Sequence, residues 1–512
     1  VTLDGSSTLP RTVLITQAHL ARYAGSEMVT IELAEHFASH GVSVSVLTHV
    51  VSDQIRTELE AAGVTVVLTD DRGEPDSGST ERPDLVWVHH GLVPSSLVAD
   101  PAGTRFVFNH MSASHPLEFD LTDGIEDALS SVSTYDAAET LLVQESAGLV
   151  PPEDERRSVF ANPAPDAFAR AGAPSADGPV LVVSNHPPVE LDEALSSLGS
   201  MKVVRVGDGG EGYEARRITP DVLAEASAVV TIGKTVQYAL ASNVPVYCYD
   251  VHGGPGWLTA ANVKAAAEVN FSGRGTRRRS ADEIRSEIEH GRPVPDDVVL
   301  MGDALRPELM LGPVIAKLLR QVEAAPAASG VSQRQVETHA RRLELQRRNT
   351  IAAQRWQTER QRTRDRIGEL ISAVAERDER LHGAGAAGTG PAKFESGGAV
   401  SMQASEREAS RARITELRSV IAARDERLRA VLKENADLRN AGSGASGELA
   451  RVKKEAAVTE DRRQHLEEAR DTAASRARAA EKELLAIERS FAYQLTAPLR
   501  RFEARRREGA SE

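Results

Sequence analysis

Gly233, Lys234 and Thr235 stand between a β-branched apolar run and a helix-like segment, a spacing that can seat an anion. Val229–Ile232 reads as a buried strand, Val236–Ser242 as a helix, and Val246–Tyr249, after Pro245, as a second strand. A tight turn at a helix start points unpaired N–H groups outward, where the helix dipole also favours negative charge. The turn is not a phosphate-wrapping P-loop, which needs a glycine five residues before Gly233. That position is Ala228.

A second set of reactive side chains falls near strand ends. His89 and His90 follow Leu85–Val88, His110 follows Arg105–Phe108, and His115 and Glu118 share the next polar loop. A His so placed can orient or deprotonate a hydroxyl, although each also suits a satisfied loop residue. These histidines lack the tight spacing of a metal site, and no metal or other cofactor is expected. Gly25, Ser26 and Glu27 precede another helical pattern. Asn185 and His186 follow the run Val180–Ser184, Arg205 lies in the run Lys202–Val206, and Arg274 is a weaker candidate. In parallel sheets ligands gather at the carboxyl ends of strands, which would bring these groups to one crevice.

The elements that must position them alternate. Strands are expected at Val13–Thr16, Val42–Thr48, Val64–Leu68, Leu85–Val88, Arg105–Phe108 and near Val132. Helices fall between several of them: Met28–His40 and Ser52–Ala62, each stopped by a glycine, then one from Asp123 and one at Asp136–Gly148. A second series has strands at Val180–Ser184, Lys202–Val206, Val229–Ile232 and Val246–Tyr249, with helices near Leu191–Leu198 and Pro220–Ala226. Ser280 and Glu283 form a capping box for a helix through Glu289, and Pro313 opens a helix to Val322. The fold class is therefore α/β, two Rossmann-like domains at 11–150 and 179–325, joined by a Pro- and Asp-rich connection at 151–178.

The formal charge of −14 is unevenly distributed. Residues 1–325 carry 24 Lys/Arg against 46 Asp/Glu, whereas residues 326–512 carry 37 against 29. An acidic head argues against nucleic acid as a partner. The single cysteine, Cys248, sits in an apolar run, which excludes a disulfide framework and fits a reducing compartment. No apolar run reaches the 18 or so residues of a membrane span, and no secretory signal is visible, so a cytoplasmic protein is expected, with contact at the inner membrane face open to it.

Residues 332–490 read as helical coiled-coil segments with Gly-rich breaks. Ile367–Leu381 and Ile414–Leu428 repeat at an offset of 47, and the second copy places apolar residues at heptad a and d positions with Asn435 at an a position. A buried Asn there favours a parallel dimer, so a homodimer through the tail is expected. The terminus 491–512 mixes aromatic, Leu and clustered Arg residues. It suits an anionic membrane surface or a frayed end equally.

Residues 11–325 resemble the GT-B glycosyltransferases, most closely family-4-type enzymes of bacterial surface-polysaccharide synthesis. Gly25-Ser26-Glu27 resembles that family's Gly-Gly-Ala-Glu loop, and Phe160-Ala161-Asn162-Pro163 its Asn-centred motif between domains. Ile232-Gly233 and Val244-Pro245-Val246 resemble the pair of motifs flanking its donor-binding helix, and Ser490–Arg500 a Leu-Thr-x-Pro-Leu-Arg ending. The family's glutamate pair is absent; Tyr238 takes the second position, with Gln237 beside it. The resemblance implies transfer of a sugar from a nucleotide-sugar to a glycan or lipid-linked acceptor, with retention of configuration and no metal. It implies a donor side of Asn185, His186, Arg205, Gly233, Lys234, Thr235 and Gln237. Gly25, Ser26 and His89 would line the acceptor side, with His110 and Glu27 in catalytic roles. A non-catalytic scaffold and a 2-epimerase-like nucleotide-sugar enzyme are the alternatives; the missing glutamates favour the scaffold.

Overall fold

The computed structural model describes residues 2–3, 7–76, 81–112, 115–118, 121, 124–146, 156–170, 175, 177–185, 187–199, 201–207 and 212–386. The chain divides into two units, Val1–Arg380 and Leu381–Glu512. His186, the second repeat copy with Asn435, and the terminus 491–512 lie outside the described residues.

After a short antiparallel ribbon, β1 (Thr2–Leu3) and β2 (Ser7–Thr8), the first domain builds one seven-stranded sheet. Its strands are β3 (Thr12–Leu20), β4 (Ser43–Val51), β5 (Thr65–Leu68), β6 (Leu85–Val88), β7 (Arg105–His110), β8 (Val132–Tyr135) and β9 (Arg157–Val159). All pair in parallel, in the order β5-β4-β3-β6-β7-β8-β9. The order reverses between β3 and β6, which makes a crevice at their carboxyl ends. The connecting helices are α1 (Gly25–Ser39), α2 (Asp53–Ala61), α3 (Ser95–Ala99), α4 (Ile125–Leu129) and α5 (Ala138–Ser146). Strand β6 shows why both faces are covered. Leu85 and Trp87 join the core containing Ile31, Leu33 and Phe37 of α1, while Val86 and Val88 join Phe106 and Phe108 on the other face.

The second domain repeats the scheme with β10 (Val180–Val183), β11 (Val203–Val206), β12 (Ala228–Thr231), β13 (Val246–Asp250) and β14 (Gly253–Trp257). Their order is β11-β10-β12-β13-β14, parallel except for β14. The glycine-rich stretch after Tyr249 is this antiparallel edge strand. A Cβ at Gly254 would meet the Cys248 carbonyl oxygen at 1.9 Å, so only glycine lets the two strands close. Helices α6 (Val189–Ser196), α7 (Pro220–Glu225), α8 (Lys234–Ala241), α9 (Val263–Glu268), α10 (Ala281–His290) and α11 (Pro295–Leu309) surround this sheet. The capping box at Ser280 and Glu283 starts α10.

Two elements cross the expected boundaries. Strand β9, inside the expected connection, pairs with β8 as the first sheet's last strand. Three residues in a Pro- and Asp-rich stretch carry too little pattern to announce it. Helix α12 (Leu311–Ala324) packs back on the first domain, where Leu311, Ile315, Leu318, Leu319 and Val322 share a core with Ile15 and Trp87. Helix α13 (Gln333–Ala386) follows, and its first turns also lie against the first domain. Among the described residues no helix is long and apolar enough to cross a membrane.

Candidate functional site

A cavity of ≈ 320 Å³ lies between the two domains, lined on one side by Tyr23, Ala24, Gly25 and Met28. Its other wall is the carboxyl edge of the second sheet: Ser184 and Asn185 after β10, Thr231 to Thr235 at the β12–α8 turn, and Asp250 at the end of β13. The volume suits a small-molecule site. Two helices start on it. Ala24 caps α1 without a side-chain hydrogen bond, and Gly233 does the same for α8. Neither cap side chain therefore takes up a first-turn N–H group of these helices. Gly233 takes φ +61°, which glycine adopts freely, and a Cβ there would meet nothing within 4 Å. Arg216 adds a guanidinium whose buried Nε has no hydrogen-bond partner among the described residues and lies 3.6 Å from the exposed Glu214 carboxylate. Two helix N-termini and an arginine on one cleft are groups that can bind an anion.

Lys234 lines this cleft, but its ammonium is engaged. It lies 2.7 Å from Glu32 of α1 and donates to the carbonyl oxygens of Asn162 at 3.2 Å and Pro163 at 3.1 Å. Those three contacts use the three donors of an ammonium. Tyr238, at the position of the missing glutamate, donates its hydroxyl to the same Glu32. Burial pushes Glu32 above the ordinary carboxylate range and Lys234 below the ordinary lysine range, and each partner opposes the other's shift. Beside them Arg217 forks onto Glu35 of α1 at 2.7 and 2.6 Å. Helix α1 thus ties the two domains through its acidic face.

On the first domain a polar cluster fills the crevice between β3 and β6. His19 lies 3.4 Å from buried Glu27 and stacks on His90 with centroids 5.3 Å apart. His90 accepts from the Ala18 N–H at Nδ1, which leaves Nε2–H facing Glu118 at 3.1 Å. Burial first, and the nearby Arg22 charge, lower His19 to about 3, so its imidazole is neutral at pH 7. Burial raises Glu27, against the Ser26 hydroxyl that donates to it at 2.9 Å. Among the described residues no group of three or more His, Cys, Asp or Glu could hold a metal ion.

Of the residues expected at the site, Gly25, Asn185, Gly233, Lys234 and Thr235 line the cleft. Ser26 and Glu27 belong to the neighbouring first-domain cluster. Others differ from expectation. His110 is buried, stacks on Tyr135, and uses both ring nitrogens, on the Glu118 carbonyl at 2.7 Å and the Glu126 carboxylate at 2.8 Å. His89 is buried between the Thr30 hydroxyl at 2.9 Å and the Asn109 amide at 3.0 Å. Neither ring has a nitrogen left for an acceptor hydroxyl. Arg205 bonds Tyr213 and does not line the cleft. Gln237 is buried on α8 away from the cleft, its amide without a hydrogen-bond partner among the described residues. Arg274 pairs with Glu139 at 3.3 Å. Sequence reasoning missed Arg216, Tyr23 and His19. Only His19 left a signal, since it lies just past a strand that was expected to stop at Thr16.

No family model matches the chain, and no curated protein does. Solved structures do. AviGT4, a glycosyltransferase involved in avilamycin A biosynthesis, is 19% identical over 62% of this chain and 99% of its own, with TM-score 0.39. HepE of Anabaena, in complex with UDP-glucose, is 14% identical over 61% and 98%, with TM-score 0.41. A putative UDP-N-acetylglucosamine 2-epimerase of Listeria monocytogenes is 11% identical over 62% and 97%, with TM-score 0.37. At these identities and scores the matches assign neither a ligand nor a residue role to this chain.

Proposed function

We propose that this chain is a GT-B glycosyltransferase that moves a sugar from a nucleotide-sugar to a glycan or lipid-linked acceptor, in cell-surface polysaccharide synthesis. One observation carries the reading: the N-termini of α1 and α8, from opposite domains, line one cleft with Arg216. In the transfer the bond between the sugar's anomeric carbon and the diphosphate oxygen breaks, and the leaving diphosphate takes the electron pair. Preorganised N–H groups and a guanidinium stabilise that developing charge. With the Lys234 ammonium engaged by Glu32, Asn162 and Pro163, the phosphate falls to the amides at Gly233–Thr235 and to Arg216. The acceptor oxygen forms the new bond, and its proton passes to the Glu27 carboxylate beside His19, which keeps the catalytic role expected of Glu27 and takes the one expected of His110.

The test is release of nucleoside diphosphate by the full chain from a panel of UDP-, GDP- and TDP-sugars, in water and with glycan or lipid-linked acceptors. We expect one base to be preferred and the rate to fall roughly hundredfold in Arg216→Ala. Release from no donor removes the transferase reading. A non-catalytic scaffold, the alternative raised by the missing glutamates, predicts that outcome. The homodimer and the membrane contact rest on the sequence. They are tested by light scattering of Asn435→Leu and by vesicle co-sedimentation after deletion of 491–512.

A further inference from the structure

His90 and Gly91, at the carboxyl end of β6, both hold left-handed backbone, with φ of 57° and 59°. Glycine takes this conformation freely, but histidine keeps it only where the surroundings over-determine it. Beside Ala18, Glu118 and His19, which hold its ring, part of those surroundings comes from α13. Gln346 donates its Nε2 to the His90 carbonyl oxygen at 2.8 Å, and His339 donates its Nε2 to the Val93 carbonyl oxygen at 2.7 Å. Between them Leu343 is fully buried with Leu47, Val67 and Leu92. Arg347 pairs with Asp71 at 2.7 Å, one helical turn beyond Leu343. The stretch leading into the tail is therefore fastened over the loop that carries His90.

We propose that Gln346 is a positioning residue for the first-domain site. By holding the His90 carbonyl it fixes the left-handed turn, and the turn sets the His90 ring against Glu118 and under His19. This rests on the reading of the His19–Glu27 cluster as the acceptor side. On that reading the acceptor site is completed by a residue from beyond both Rossmann-like domains, and truncation before α13 leaves it loose.

The test compares the full chain with Gln346→Met, which keeps the side-chain length and loses the donor. Diethyl pyrocarbonate modification is mapped by peptide mass spectrometry, with exposed His290 as reference. His90 is shielded in the native chain. In Gln346→Met its reactivity should rise about tenfold, the factor that corresponds to one lost hydrogen bond. His36 and His110, buried away from α13 in the same domain, should stay unreactive. Leu343→Ala removes the apolar anchor and should move His90 in the same direction. No rise at His90, or an equal rise at His36 and His110, overturns the proposal. UDP-, GDP- and TDP-dependent stabilisation of the same samples reports the second-domain cleft separately. Its absence from the native chain would sink the nucleotide reading, and the His90 result would still decide the role of Gln346.

Discussion

Lys234 of the second domain meets Glu32 of the first at 2.7 Å, with both side chains almost fully buried. Removing one member of a buried pair strands the other charge, at about 3–5 kcal/mol. Lys234→Met should therefore lower unfolding stability by that order in urea titrations. Adding Glu32→Gln, which still accepts from Tyr238, should recover most of the loss. An unchanged midpoint in the single variant would show that the pair does not hold the domains.

Asp136 follows β8 and accepts from Thr140 and, across the domains, from Asn270, each at 2.6 Å. Burial raises it from 3.8 to about 6. The folded state thus holds a proton that the unfolded state has released between those values. Stability should fall as pH rises from about 4 to 6, by up to about 3 kcal/mol from this group. Asp136→Asn should flatten that slope in thermal unfolding followed from pH 4 to 7, because the Asn270 amide can turn to match it. A slope as steep as the native one would assign the effect elsewhere.

His110 braces Glu126 from inside the first domain. His110→Phe leaves that carboxylate buried without its imidazole, and should cost about 3 kcal/mol. Nucleotide affinity of the folded variant should stay within twofold or so of the native value, since the ring does not line the cleft. A selective loss of binding at unchanged stability would restore His110 to the site.

Gly73 takes φ +83°, and a Cβ there would approach the Leu343 carbonyl oxygen of α13 to 2.7 Å. Gly73→Ala should loosen the docking of α13 by about 1–3 kcal/mol. Limited proteolysis should then cut between Gln333 and Arg347 sooner than in the native chain. Equal cleavage rates would mean that the helix does not depend on this approach.

The parallel sheets were legible because their strands are buried on both faces and read as apolar runs, such as Leu85 to Val88 and Val229 to Thr231. The turn that opens α8 was legible too, since Gly233 follows a strand and starts a helix. What sequence could not show is where polar side chains spend their hydrogen bonds. Lys234 and His110 carry the right chemistry at strand and helix ends, and both are spent on carboxylates distant in sequence. Arg216 lies in an irregular loop with no periodicity to mark it. The return of α12 and the docking of α13 on the first domain are long-range packing, decided by apolar faces that any amphipathic helix would display.

We propose that the cleft between α1 and α8 holds a nucleoside diphosphate. Calorimetric titration of the full chain with UDP, GDP and TDP decides it. One of the three should bind at a single site, and Arg216→Ala should weaken it by about tenfold to a hundredfold. Binding of none of them, or equal affinity in Arg216→Ala, would remove the nucleoside diphosphate from this cleft.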